Sequence, residues 1–85
     1  MYAENRWIVI RWAQFSPSGK TSIYTVLNKI FNVRVGIIKY DGGWRKYLLF
    51  PEIDAKFDVG CLEVIKEFLD ALEENRKAEK NKVSE

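Results

Sequence analysis

The chain has 85 residues, enough for one small domain whose single core buries about 60 to 65 percent of the unfolded surface, and too few for a second lobe. Hydrophobic residues make up 47 percent and charged residues 31 percent, the balance of a folded soluble chain, and no apolar stretch reaches the roughly 20 residues of a membrane span. The net charge of +2 conceals an asymmetry: residues 5 to 50 hold eight basic groups against one acid, Asp41, whereas residues 51 to 85 hold six basic and ten acidic groups.

At the N-terminus, MYAENRW has no basic region followed by an apolar signal core, so a cytoplasmic protein is expected. RWIVIRWAQ then reads as a strand rich in β-branched and aromatic residues, with Trp7, Val9 and Arg11 on one face and Arg6, Ile8, Ile10 and Trp12 on the other. FSPSG ends it. Ser18, Thr21 or Ser22 is placed to cap a helix in which Ile23, Tyr24, Val26, Leu27, Ile30 and Phe31 recur at helical spacing. NVRVGIIKY and WRKYLLF flank Asp41-Gly42-Gly43 and predict a hairpin, because glycine supplies the positive φ angles of a tight turn. Pro51 stops the last strand, Ala55 to Phe57 suggests a short additional one, and Asp58 caps a long helix carrying Leu62, Ile65, Phe68, Leu69 and Leu72. The expected fold is α+β: a small antiparallel sheet with helices on one face, in the order β-α-β-β-α. Residues 1–75 form the domain and residues 76–85 a charged tail.

Residues 15 to 21, FSPSGKT, raise the question of a phosphate-binding loop. In the full G-x-x-x-x-G-K-[ST] pattern the first glycine falls on Gln14, and a central hairpin leaves no parallel sheet for a nucleoside triphosphatase. Two readings remain: a plain strand-to-helix turn, or a helix start whose free N–H groups, with Lys20 and Thr21, hold a backbone phosphate.

In the hairpin, a three-residue loop would set Tyr40 opposite Trp44. Arg34, Ile38, Tyr40, Trp44, Lys46, Leu48 and Phe50 would then share an exposed face, and Val33, Val35, Ile37, Lys39, Arg45, Tyr47 and Leu49 the core face. Gly36 on the exposed face would admit a ligand close to the backbone. The alternative for Tyr40 and Trp44 is a cross-strand pair that only protects the hairpin end, and for Trp7 a buried core position.

Catalytic chemistry is thin. The carboxylate pairs Glu63 with Glu67 and Asp70 with Glu74 read as the solvated face of a helix. Ser16, Ser18 and Ser22 have no histidine to activate them, and Cys61 reads as a small buried hydrophobe. With no histidine and one cysteine, neither a zinc site nor an internal disulfide is expected, and the protein reads as a binding protein without cofactor or metal rather than an enzyme.

The basic segment carries nine of the twelve aromatics. Cations track phosphates while rings stack on bases of any identity, so the partner expected is single-stranded DNA or RNA, bound with little base specificity. The residues expected to carry it are Trp7, Arg11, Lys20, Arg34, Tyr40, Trp44, Lys46 and Phe50. A protein-interaction module docking a partner subunit through the same patch is the alternative, since Trp, Tyr and Arg also dominate protein hot spots.

With the βαββα order, the basic aromatic hairpin VRVGIIKYDGGWRKYLLF and the long C-terminal helix, residues 6 to 75 resemble the ThermoDBP-related family of archaeal single-stranded nucleic-acid-binding proteins. The resemblance is one of layout and residue character. It implies a sheet-built cleft lined with rings and cations, and dimerisation through helices; high Lys and Glu content agrees with a thermophilic source. In the C-terminal helix, Cys61, Val64, Phe68 and Ala71 form a second apolar stripe beside Leu62, Ile65, Leu69 and Leu72. That stripe is the expected homodimer interface unless the hairpin or the first helix covers it.

Overall fold

The computed structural model describes residues 2–83. Five strands form one antiparallel sheet in chain order: β1 (Tyr2–Glu4), β2 (Ile8–Phe15), β3 (Ser22–Asn28), β4 (Val33–Asp41) and β5 (Lys46–Pro51). A single helix, α1 (Val59–Val83), follows. The expected order β-α-β-β-α is therefore incorrect: the described residues form one helix, not two, β1 is an additional strand, and residues 55 to 57 are not a strand.

The misread element is β3. It pairs with β2 on one side and β4 on the other, so as the central strand it is apolar on both faces. Tyr24 and Val26 are buried under the helix, while Ile23, Thr25 and Leu27 turn to the opposite face. A strand apolar on both faces mimics helical spacing, but β-branched Ile23, Thr25 and Val26 favour the pleat. Ile30 and Phe31 belong to the next turn, where Asn28 Oδ1 accepts both of their backbone N–H groups at 2.9 and 3.0 Å and Asn32 takes φ 54°.

The β4–β5 hairpin forms, with a different register. Asp41 pairs with Lys46 and Tyr40 with Tyr47, which leaves a four-residue loop of Gly42, Gly43, Trp44 and Arg45. Asp41 closes it: its carbonyl accepts the Arg45 N–H at 2.7 Å and its carboxylate the Trp44 N–H at 2.9 Å, with Arg45 at φ 57°. One residue of loop length reverses the faces of one strand against the other. Ile38, Tyr40, Tyr47 and Leu49 consequently face α1, and Ile37, Lys39, Lys46, Leu48 and Phe50 face away. Gly36 lies within the sheet, not beside a ligand: a Cβ there would meet the Phe50 carbonyl and Leu49 at 3.1 Å.

Asp58 caps α1 as expected, accepting the Cys61 N–H at 2.9 Å through Oδ1. Cys61, Ile65, Phe68 and Leu72, spaced four, three and four apart, enter the core with Ile8, Ile10, Tyr24, Val26, Ile38 and Tyr47. At the centre Phe68 meets Tyr24 edge to face, ring centroids 4.9 Å apart. The helix backbone comes nearest to β1 and β5, the two edges, so the sheet curls around it as a half-barrel and leaves its convex face open. The stripe expected at a dimer interface is thus the core stripe of the protomer: Cys61 and Phe68 are buried, Val64 packs against them and Ala71 is half-buried. It is Leu62, expected in the core, that lies exposed. The charged tail expected from residue 76 begins as helix instead, and Arg76 packs on the hairpin; residues 84 and 85 lie outside the described residues. No helix among the described residues is long and apolar enough to cross a membrane.

Two measurements check this packing. Phe68→Ala costs about 3–5 kcal/mol in urea unfolding, whereas Leu62→Ala stays within about 0.5 kcal/mol; equal costs would remove Phe68 from the centre of the core. The cap is pH-sensitive. Donation from the Cys61 N–H holds the Asp58 carboxyl below its ordinary value of 3.8. A lowered folded pKa contributes stability above the unfolded value that is lost as pH falls through the folded one. Asp58→Ala therefore lowers the Tm at pH 7, and the gap to the wild type narrows as acid protonates the native carboxylate.

Candidate nucleic-acid interface

Two ends and one face of the sheet are uncovered. In an up-and-down meander the β2–β3 and β4–β5 loops share one end, and the β1–β2 loop, the β3–β4 turn and the β5–α1 linker share the other. The convex face between them carries Val9 and Arg11 from β2, Ile23, Thr25 and Leu27 from β3, Arg34, Ile37 and Lys39 from β4, and Lys46, Leu48 and Phe50 from β5.

The cations on this face differ in availability. Arg34 Nε donates to Glu52 at 2.6 Å. Lys29 donates to Glu4 at 2.7 Å, and that bond, with Arg11 nearby, holds the Glu4 carboxyl below the usual carboxylate range. Lys39 and Lys46 form no ion pair among the described residues and instead sit against rings, Lys39 Nζ 4.9 Å from the Phe50 centroid and Lys46 Nζ 5.9 Å from that of Trp44. Trp44 in the loop leads into Lys46 and Phe50 on β5, about 13 Å apart at roughly 3.3 Å per residue, and Lys39 on β4 pairs with Leu48 between those two. Trp44, at the hairpin tip, is 67 percent exposed. The acidic groups Glu63, Glu67, Asp70 and Glu74 belong to α1, on the far side of the sheet.

Near Trp44, at the same end of the sheet, the β2–β3 hairpin adds Trp12 and Phe15, exposed and packed edge to face at 5.2 Å. Its loop is SPSGKT, which joins two strands and starts no helix. Four of its backbone N–H groups are already engaged: Ser16 by the Thr21 carbonyl, Gly19 by the Ser16 carbonyl, Lys20 by Ser18 Oγ and Thr21 by Ser16 Oγ. Neither reading of the loop as a helix start holds, including the one in which helix N–H groups cradle a phosphate, and Lys20 remains as an exposed charge. Tyr47 ties the two hairpins, its hydroxyl accepting the Ser22 N–H at 3.2 Å, while Ser22 Oγ accepts the Trp12 indole N–H at 3.2 Å.

Of the eight residues singled out from sequence, Trp44, Lys46 and Phe50 therefore lie on one track. Arg11 shares their face on β2, and Lys20 stands at their end of the sheet. Arg34 is on the face but held by Glu52. Tyr40 points to the helix, where Tyr47 packs on it edge to face at 5.7 Å and the Arg76 guanidinium lies over its ring at 4.7 Å. Trp7 is at the opposite end, lining an open cleft with Asn28, Lys56, Phe57, Asp58 and Cys61. Burial pushes the Cys61 thiol up, away from a reactive thiolate. The described residues contain no group of three His, Cys, Asp or Glu able to hold a metal ion. Lys39, Trp12 and Phe15 were missed. Lys39 was placed with the core because the expected hairpin loop was one residue short, although alternation with Ile38 and Tyr40 on the strand already set it opposite them.

Comparison with known proteins yields no matching family model, curated protein or solved structure. The element order on which the family resemblance partly rested is absent, and the face that is open is convex rather than a cleft; the basic aromatic hairpin and the long C-terminal helix remain.

Tyr47→Phe tests the tie between the hairpins. Leaving the Ser22 N–H without its acceptor costs about 1 kcal/mol and speeds hydrogen exchange at Ser22 while Tyr24 stays protected; unchanged exchange would show that the two hairpins are held independently.

Proposed function

We propose that the protein binds single-stranded nucleic acid with little base specificity along the β5 side of its open sheet face. The observation that carries this reading is the Trp44–Lys46–Lys39–Phe50 track, in which each ring has against it an ammonium that forms no ion pair among the described residues. A base stacks on the exposed ring while the neighbouring ammonium meets the phosphate, and neither contact depends on base identity. Segregation of charge supports it: a polyanion approaching the convex face meets Arg11, Lys39 and Lys46 and is separated by the sheet from the acids of α1. Arg45 and Lys20 extend the positive field past the hairpin ends.

A second reading has its own support. Ile23, Leu27, Ile37 and Leu48 are half-buried aliphatics on the same face and pack outside the helix-side core, which suits a protein partner with an apolar centre and an acidic rim. Salt separates the two, because release of counterions makes nucleic-acid affinity fall steeply with ionic strength.

Titration with an oligothymidine should quench tryptophan emission, with tighter binding to the strand than to its duplex. Trp44→Ala weakens binding by about 1 to 3 kcal/mol, and Lys39→Ala lowers the salt slope by about 0.7. Equal affinity for strand and duplex, or a Trp44 variant that binds normally, would sink the stacking mechanism.

A further inference from the structure

Ten large apolar side chains are exposed among the described residues, and they are not scattered. Six of them converge on the end of the half-barrel farthest from Trp44: Trp7 in the β1–β2 loop, Ile30, Phe31 and Val33 around the β3–β4 turn, and Ile53 and Val59 in and after the β5–α1 linker. Hydrogen bonds join these segments into one surface. The Lys29 N–H donates to the Trp7 carbonyl and the Glu52 N–H to the Val35 carbonyl, both at 2.9 Å.

The surface has both projecting and receding parts. Ile53 is 93 percent exposed, held out on a turn in which the Ala55 N–H donates to the Glu52 carbonyl and Asp54 takes φ 64°; Phe31 is 74 percent exposed on its Asn28-braced turn. Beside them is the cleft of about 350 Å³ walled by Trp7 and Phe57. Charge at this end is balanced, unlike the open face. Lys29 and Arg34 are neutralised by Glu4 and Glu52, and Arg6 and Lys56 are offset by Asp54 and Asp58. A polyanion or an anionic membrane finds no net attraction here.

We propose that this end is a self-association surface, on which a second copy of the chain docks about a two-fold axis so that the projecting Ile53 and Phe31 of each cover the Trp7–Phe57 cleft of the other. A two-fold contact requires one patch to contain both halves of the fit, and knob and cleft are neighbours here. It also sets the signs right, since opposing copies bring Arg6 and Lys56 towards Asp54 and Asp58 without a surplus of either charge. Monomers seldom leave so many large apolar groups together in water. The contact lies away from the β5 track and stands whether or not that track binds nucleic acid.

Sedimentation velocity on the full chain from about 1 to about 100 μM tests it. The wild type should shift from monomer to dimer over this range, and Ile53→Asp and Phe31→Asp should each raise the dimer dissociation constant at least about tenfold. Both positions are exposed turn residues, so far-UV circular dichroism should be unchanged. Phe15→Asp, at an exposed ring of the opposite end, should leave association intact. A wild type that stays monomeric at the top of the range overturns the proposal, as does a dimer indifferent to Ile53 and Phe31 but broken at Phe15. Co-sedimentation of monomeric wild type with phosphatidylcholine vesicles would assign the surface to lipid and overturn it equally.

Discussion

The edge-to-face contact between Phe68 and Tyr24 is where α1 meets the sheet, and most other features follow from it. A chain of this length has a single core, so whichever faces meet there decide which faces remain for solvent and partners. With Tyr24 turned to the helix, alternation along β3 sends Ile23, Thr25 and Leu27 outward, and pairing transmits that choice to β2 and β4. From β4 it passes to β5, where Lys46, Leu48 and Phe50 are left on the open side. The basic aromatic track is thus the complement of the core.

The uneven charge of the sequence acquires a spatial meaning in this arrangement. The basic half builds β2 to β5 and the acidic half builds the helix, and the helix occupies only one side of the sheet. Charge is therefore sorted across the thickness of the sheet, with the ion pairs of Lys29 and Arg34 trimming it at one end. The remaining cations gather towards the hairpin tips. An end that is apolar and balanced and another that is aromatic and positive give the small domain two surfaces of different chemistry.

Much of this was legible in the sequence, and what was not has identifiable physical causes. The first long strand, the hairpin around Asp41-Gly42-Gly43 and the Asp58-capped helix all depend on local signals: alternation, glycine, a capping carboxylate. β3 was illegible because a central strand apolar on both faces lacks the alternation that distinguishes strand from helix; only its β-branched residues spoke for the pleat. The face assignment of the hairpin depended on loop length, which Arg45 decided by adopting a left-handed conformation that its type does not advertise. Of the candidate site, Lys46 and Phe50 were found because they alternate along one strand, and Trp44 because it sits in the loop that leads into that strand. Tyr40 and Lys39 were exchanged between core and surface by that same one-residue error in loop length. The second helix stripe was visible as apolar, but its destination depended on the width of a sheet two strands larger than the one envisaged.

The up-and-down order of the strands also governs the history of the chain as it is made. Each strand from β2 to β5 pairs with the one just before it, so these contacts are short-range and form readily as the chain lengthens. The helix that covers Ile10, Val26 and Ile38 is C-terminal to every strand. During synthesis the sheet therefore presents its concave apolar side before the cover exists, at a time when exposed apolar surface invites misassembly. Residues 59 to 72 bring that interval to an end.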